Sequence, residues 1–189
     1  MNAIQHESPI LRGDMTMTEV LKTCPGAQRA LFAAYHIGGC QSCGFSPTET
    51  LAQVCARNEN LPVDQVIQLL QDSHQSDAAL QISPVQFDVL RGSQPDLKIL
   101  DVRTREEHEA VCIPGSTLLT QDLISEIFAS WDKTATVVLY DHTGTRVLDA
   151  VAYFIGHGFG ETKALAGGID AYSQEIDPTL PRYRIELEA

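Results

Sequence analysis

Thr136-Val137-Val138-Leu139-Tyr140-Asp141-His142-Thr143-Gly144-Thr145-Arg146 is the stretch on which the fold of this 189-residue chain turns. Its first five residues form a near-continuous β-branched and apolar run. A half-solvated strand would alternate, so this run reads as a central parallel strand covered on both faces. The polar, glycine-containing segment after it leads into a helix from about Arg146 to Gly156. Upstream lie a strand at Leu97–Leu100, a capping box at Thr104-Arg105-Glu106-Glu107, a short strand at Ser116–Leu119 and a helix at Asp122–Trp131. Downstream comes a strand near Thr162–Leu165. From Leu80 onward strands thus alternate with helices, which implies right-handed βαβ units around a mostly parallel sheet, a three-layer α/β domain.

The chain changes character near residues 73–80, and before them helical signals dominate. Thr18 is expected to cap a short helix ending near Cys24. Pro25 sits at a first helical position, and Ala30, Leu31, Ala34 and Tyr35 form a stripe that Gly38-Gly39 stops. Ser46-Pro47-Thr48-Glu49 is a capping box expected to open a helix through about Arg57. Pro62 opens another, with Val63, Val66, Ile67 and Leu70 as its apolar face. The polar stretch Ser73–Asp77 reads as linker. The expected division is a small all-α domain over 13–73, a linker over 74–79, the α/β domain over 80–178 and a tail over 179–189.

A hydrophobic fraction of 43% argues against overall disorder. The net charge of −12, with 13 scattered basic residues, argues against nucleic acid as a partner. No apolar run approaches the ~20 residues that span a bilayer. Met1–Met17 lacks the basic flank and apolar block of a signal peptide, so a cytoplasmic location is expected. Five cysteines, three of them isolated (Cys24, Cys55 and Cys112), point to reduced thiols plus one special pair, Cys40 and Cys43.

Several fragments of the α/β half resemble the rhodanese family. Leu100-Asp101-Val102-Arg103 with Glu106-Glu107 is similar to its LDVR-x-x-x-E-[FY] start. Cys112-Ile113-Pro114-Gly115-Ser116 is similar to H-I-P-G-[AS], with cysteine where histidine is usual. Leu165-Ala166-Gly167-Gly168-Ile169-Asp170-Ala171-Tyr172 is similar to L-x-G-G-[IV]-x-[AG]-W. The order and spacing match over residues 80–178.

The family's active loop is C-x-x-G-x-R after the central strand. Here Gly144 and Arg146 are in place, and Asp141 stands at the cysteine position. Such a loop uses backbone N–H groups and a helix N-terminus to stabilise a thiolate, its persulfide or an oxyanion. A carboxylate cannot attack and carry sulfane sulfur. The resemblance therefore implies a degenerate loop of Asp141, His142, Thr143, Gly144, Thr145 and Arg146, without conventional sulfurtransferase or arsenate/phosphatase-type activity. Asp141 is expected to repel thiosulfate or phosphate, to fill the anion nest and to pair with Arg146. Asp-x-Thr-Gly-Thr after an apolar strand also resembles the phosphoaspartate motif of the haloacid-dehalogenase-like superfamily. That distant alternative needs a later lysine and an acidic pair; the remaining 48 residues offer Lys163 but no such pair after a strand. Cys112 reads as a small buried hydrophobe or a substitute thiol, and Trp131 as packing for its helix on the sheet.

Residues 13–73 resemble the hybrid-cluster-protein-associated redox disulfide family, and the N-terminal domain of some iron–sulfur repair proteins. The resemblance rests on Met17–Leu21, Cys24-Pro25, Ile37-Gly38-Gly39-Cys40-Gln41-Ser42-Cys43-Gly44 and Thr48–Leu51. A C-x-x-C pair can cycle between dithiol and disulfide, supply two soft metal ligands, or carry sulfur. One pair cannot complete a four-thiolate zinc or iron–sulfur site, so Cys24, His36 or a second subunit would have to join Cys40 and Cys43. Cys55 reads as core. Three functional expectations follow. The first is a non-catalytic rhodanese-like module joined to a thiol-handling domain, with a protein partner or thiol substrate. The second is a sulfur-transfer or disulfide-exchange enzyme using Cys40/Cys43. The third is a homodimer binding zinc or an iron–sulfur cluster.

Overall fold

The structure, a computed structural model, describes residues 9–38 and 44–183. It divides into two compact units, residues 1–79 and 80–189.

Among the described residues the first unit is helical: α1 (Met17–Thr23), α2 (Ala27–Tyr35), α3 (Leu51–Arg57) and α4 (Val63–Ala79). The cap of α1 is Thr16 rather than the expected Thr18, because the threonine-to-glutamate register of a capping box falls on Thr16 and Glu19. Thr18 lies inside the helix, its hydroxyl donating to the Pro47 carbonyl at 2.9 Å. Ser46–Glu49 does not open α3; Thr50 does, boxed with Gln53. The reason lies in where the first amides of α1 find acceptors. Met17 N donates to Glu49 O at 2.8 Å and Thr18 N to Pro47 O at 3.0 Å, while Leu51 N donates back to Met15 O at 2.9 Å. The two helix starts satisfy one another's orphan groups, and Thr16 and Thr50 form an antiparallel bridge between them.

Helix α2 begins after Gly26, so Pro25 precedes its cap. It ends at His36 in the left-handed conformation, two residues before the expected glycines. Its buried face is Ala27, Ala30 and Leu31, with Ala34 exposed. The expected linker is helical: α4 continues to Ala79. Asp77 is buried and ion-paired with Arg29 of α2, so this polar stretch carries a packing contact rather than a solvated connection. The core gathers Met17, Val20, Leu31, Leu51, Val66 and Leu70, with Cys24 and Cys55 among them.

The second unit is a five-stranded parallel sheet of order β1-β5-β4-β2-β3, from β1 (Gln81–Ile82), β2 (Lys98–Asp101), β3 (Thr117–Leu118), β4 (Val137–Tyr140) and β5 (Thr162–Leu165). Helices α5 (Pro84–Ser93), α6 (Arg105–Ala110), α7 (Gln121–Ser130), α8 (Val147–Gly156) and α9 (Gly168–Glu175) connect and follow the strands. The fully buried run of β4 divides by parity. Val137 and Leu139 join Ile127, Val151 and Phe154 of α7 and α8, with Trp131 packed at the edge. Val138 and Tyr140 join Phe87, Ile169 and Tyr172 of α5 and α9. Both faces are covered, as the absence of alternation in the sequence predicts. The unit also extends past the expected end at 178, since Leu180 and Tyr183 pack against the second cluster.

Candidate functional site

The chain leaves β4 at the carboxyl edge of the sheet, where open α/β sheets place their ligands. Asp141, 6% exposed, turns its carboxylate back onto the loop. Its Oδ2 accepts from Arg146 N at 2.7 Å and Val147 N at 3.0 Å, and its Oδ1 accepts from Gly144 N. These donors are the loop's own N–H groups and the first amides of α8. The carboxylate therefore sits in the anion nest at a helix N-terminus. The contact with Arg146 runs through its backbone N–H, and the residue itself is exposed. Thr143 and Thr145 are exposed, their hydroxyls 3.3 Å apart.

The Gly167-Gly168 segment latches this loop. Ile169 N donates to Asp141 O at 2.9 Å and Asp170 N to His142 O at 3.1 Å. Gly168, at φ +59°, has no room for a Cβ, which would overlap the Asp141 and His142 carbonyls. Gly144, at φ +80°, faces Gly167, whose amide nitrogen would lie 2.5 Å from an added Cβ. The glycines of the two motifs thus permit one backbone to cross the other closely.

Beneath the loop runs a buried polar network rooted in Asp101, which is fully buried. Arg103 grips it in a fork, Nε to Oδ1 at 2.9 Å and Nη2 to Oδ2 at 2.6 Å. His108 Nδ1 lies 2.8 Å from Oδ2, and the Tyr140 hydroxyl donates to the same oxygen at 2.8 Å. Arg103 also donates to Val111 O at 2.7 Å and to the Tyr183 hydroxyl at 2.7 Å, and that hydroxyl donates on to Glu107 at 2.7 Å. Tyr140 further meets Ser116 Oγ at 2.8 Å and Ile113 N at 3.2 Å.

Burial alone would raise the Asp101 carboxyl, but hydrogen bonds from Arg103 and His108 outweigh it and hold the group below its ordinary range. Burial likewise lowers Arg103, yet the Asp101 carboxylate leaves the guanidinium above its usual value. Burial pushes the Tyr140 phenol well up, and that of Tyr183 to about 12. Both tyrosines thus act as neutral hydrogen-bonding groups at physiological pH.

Sequence reasoning found the loop but missed Tyr140, Tyr183, His108 and Ser116. A tyrosine ending an otherwise apolar buried strand was the available signal, because its hydroxyl must find partners. Tyr183 gave none, being 76 residues from Glu107.

The remaining candidates are dispersed. Cys112 is half-buried beside Ile113. Cys24 is buried, its thiol donating to Leu70 O at 3.5 Å and raised by burial to about 11. Cys55 is core. His36 is exposed and meets Phe32 edge-on. Cys40 and Cys43 lie outside the described residues, as does any site they would share. Among the described residues no group of three or more His, Cys, Asp or Glu is arranged to hold a metal ion, and no helix is long and apolar enough to cross a membrane.

A parallel α/β unit with a loop-and-helix anion cradle after its central strand is the architecture of a rhodanese-type domain, and residues 83–175 match the family model of the rhodanese-like domain. The chain belongs to the rhodanese-like family. It is similar to a sulfurtransferase of Allochromatium vinosum, 33% identical over 42% of this chain and 74% of the relative. It is also similar to the probable adenylyltransferase/sulfurtransferase MoeZ of Mycobacterium tuberculosis, at 32% identity over 59% of this chain. The match spans 29% of that longer protein's length. A rhodanese-like domain protein from Staphylococcus aureus, solved by crystallography, overlays 55% of this chain and 98% of its own at 24% identity and a TM-score of 0.45.

Proposed function

We propose that this protein is a rhodanese-like binding or regulatory module in sulfur or redox metabolism. Its active loop is degenerate, and its thiol chemistry resides on Cys40 and Cys43. The observation that carries the reading is the Asp141 carboxylate, bonded to the N–H groups of Gly144, Arg146 and Val147. A sulfurtransferase needs those donors for a thiolate, a persulfide or an incoming oxyanion; here a fixed carboxylate takes them. It brings negative charge where thiosulfate would bring more, and it has no sulfur to attack with.

Thiosulfate:cyanide sulfurtransferase activity is accordingly expected at background. Robust turnover that disappears in Asp141→Ala would sink the reading. Turnover lost instead in Cys112→Ser would move the nucleophile to Cys112.

The Cys40/Cys43 half of the proposal is supported by spacing. Two intervening residues let the sulfurs meet, whereas Cys24 and Cys55 are buried in a packed core. Under mild oxidant these two are expected to form the readily reversible disulfide. Differential alkylation before and after reduction, read by peptide mass spectrometry, checks it. Labelling of Cys40 and Cys43 no faster than Cys55, without pairing, would make them packing residues. A second arm of the same reading is a metal site shared between two copies through these thiols; a visible absorption spectrum and metal analysis of anaerobically purified protein distinguish it from disulfide chemistry.

A further inference from the structure

We propose that residues 176–183 are an intramolecular strap covering the His142 side of the 141–146 loop, with Tyr183 as its latch. An incoming ligand or protein gains that face when the strap withdraws. The proposal rests on reading the loop as the domain's functional face, but its test does not depend on activity.

The strap lies beyond the segment that matches the family, which ends at residue 175. It leaves α9 through a turn in which Thr179 N donates to Asp177 Oδ1 at 3.1 Å and Leu180 N to Asp177 O at 3.1 Å. Ser173 Oγ donates to Leu180 O at 2.7 Å, directing the chain back toward the loop. Arg182 then forks onto Asp170, at 2.7 and 3.1 Å. Tyr183 lays its ring against the His142 imidazole, with centroids 4.5 Å apart. Its hydroxyl accepts from Arg103 and donates to Glu107. His142, Asp170, Arg182 and Tyr183 together line a cavity of about 290 Å³.

Leu180 and Tyr183 pack against the edge of the core from partly buried positions, and two features favour their release. The Arg182–Asp170 fastening is solvent-facing, with side chains 52% and 25% exposed, so that pair is weak and screened by salt, while Tyr183 and the Leu180 carbonyl keep part-buried bonds to Arg103, Glu107 and Ser173. Segments held in this way open locally without global unfolding. In addition, among the described residues the buried His142 Nδ1 has no hydrogen-bond partner in the closed state. A buried unpaired polar atom is unfavourable, and opening lets water or a ligand bond it. Withdrawal of Tyr183 also frees one donor of the buried Arg103 guanidinium. The strap thus occupies in cis a donor that an external hydrogen-bond acceptor, such as a carboxylate or other oxyanion, can use.

The test is carbethoxylation of histidines by diethylpyrocarbonate on the full chain, mapped by peptide mass spectrometry, with exposed His36 and His157 as internal references. His142 is expected to react slowly in the wild type. In Tyr183→Ala its rate should rise at least about fivefold, as local protection is lost, while His36 and His157 hold. Arg182→Glu, which breaks the surface fastening and leaves the ring, should give a smaller rise. Hydrogen exchange across residues 137–140 must stay protected in both variants, so that a general loosening of the sheet is not read as strap release. An unchanged His142 rate in both variants, with the sheet intact, overturns the strap. So does a rise accompanied by loss of protection in the sheet, which would make Tyr183 a core residue. Sulfurtransferase turnover in the wild type would instead count against the degenerate loop and leave the strap standing.

Discussion

Asp101→Asn is expected to lower the stability of the C-terminal unit by about 3–5 kcal/mol, the usual consequence of stranding one member of a buried ion pair. Arg103 has its guanidinium side chain 2% exposed, and Asp101 is its direct counter-charge. The amide keeps the shape of the carboxylate but not its charge. The guanidinium would be left in a site where one of the two acceptor oxygens shared by Arg103, Tyr140 and His108 has become an N–H donor. Urea unfolding followed by Trp131 fluorescence reads this unit specifically, because Trp131 is the sole tryptophan and caps α7. The midpoint should fall with little change in slope.

The same carboxylate sets an acid limit. Its folded value lies below its ordinary one, so between the two values the unfolded chain binds the proton more readily. The stability it contributes is therefore present above the unfolded value of about 3.9 and lost as pH falls from there through the folded value. The wild-type unit should lose stability across that window more steeply than Asp101→Asn. Parallel slopes would mean the network contributes little.

Asp141→Cys should create a reactive thiol in a loop that now has none. The N–H groups of Gly144, Arg146 and Val147, with the start of α8, would face sulfur in place of carboxylate oxygen and favour the thiolate. In thiosulfate the thiolate attacks the sulfane sulfur. A new S–S bond forms at the protein, the S–S bond of thiosulfate breaks, and sulfite leaves with the electron pair. Persulfide formation is expected to exceed wild type by about 10²-fold or more, since a missing nucleophile disables the whole set of groups around it. One added sulfur on the introduced cysteine, seen by mass spectrometry, would register it. A folded variant that takes up none would mean the loop has drifted from the family by more than one residue.

How much of this was legible in the sequence depended on the range of the interactions involved. Thr136–Tyr140 announced a doubly covered strand, and β4 is buried at every position. Local signals placed some helix starts wrongly where a distant backbone competed. Ser46 N donates to the Glu49 carboxylate, half of a capping box, but Pro47 and Glu49 yield their carbonyls to α1, so α3 begins at Leu51. The stretch 73–79 reads as solvated linker until Asp77 meets Arg29, 48 residues away in sequence. The loop 141–146 was found from its motif, but the Asp101–Tyr140–Tyr183 network was not. Its members come from four separate segments, and the strap that completes it follows the last element the motifs mark.

On the proposed reading the rhodanese-like unit of this chain carries no sulfur. The reduced wild-type protein, incubated with thiosulfate and separately with polysulfide, should be digested and each cysteine peptide weighed for one added sulfur. Any added sulfur should appear at Cys40 or Cys43, and the Cys112 peptide should stay unmodified. Stoichiometric added sulfur on Cys112, with none at Cys40 or Cys43, would contradict that reading.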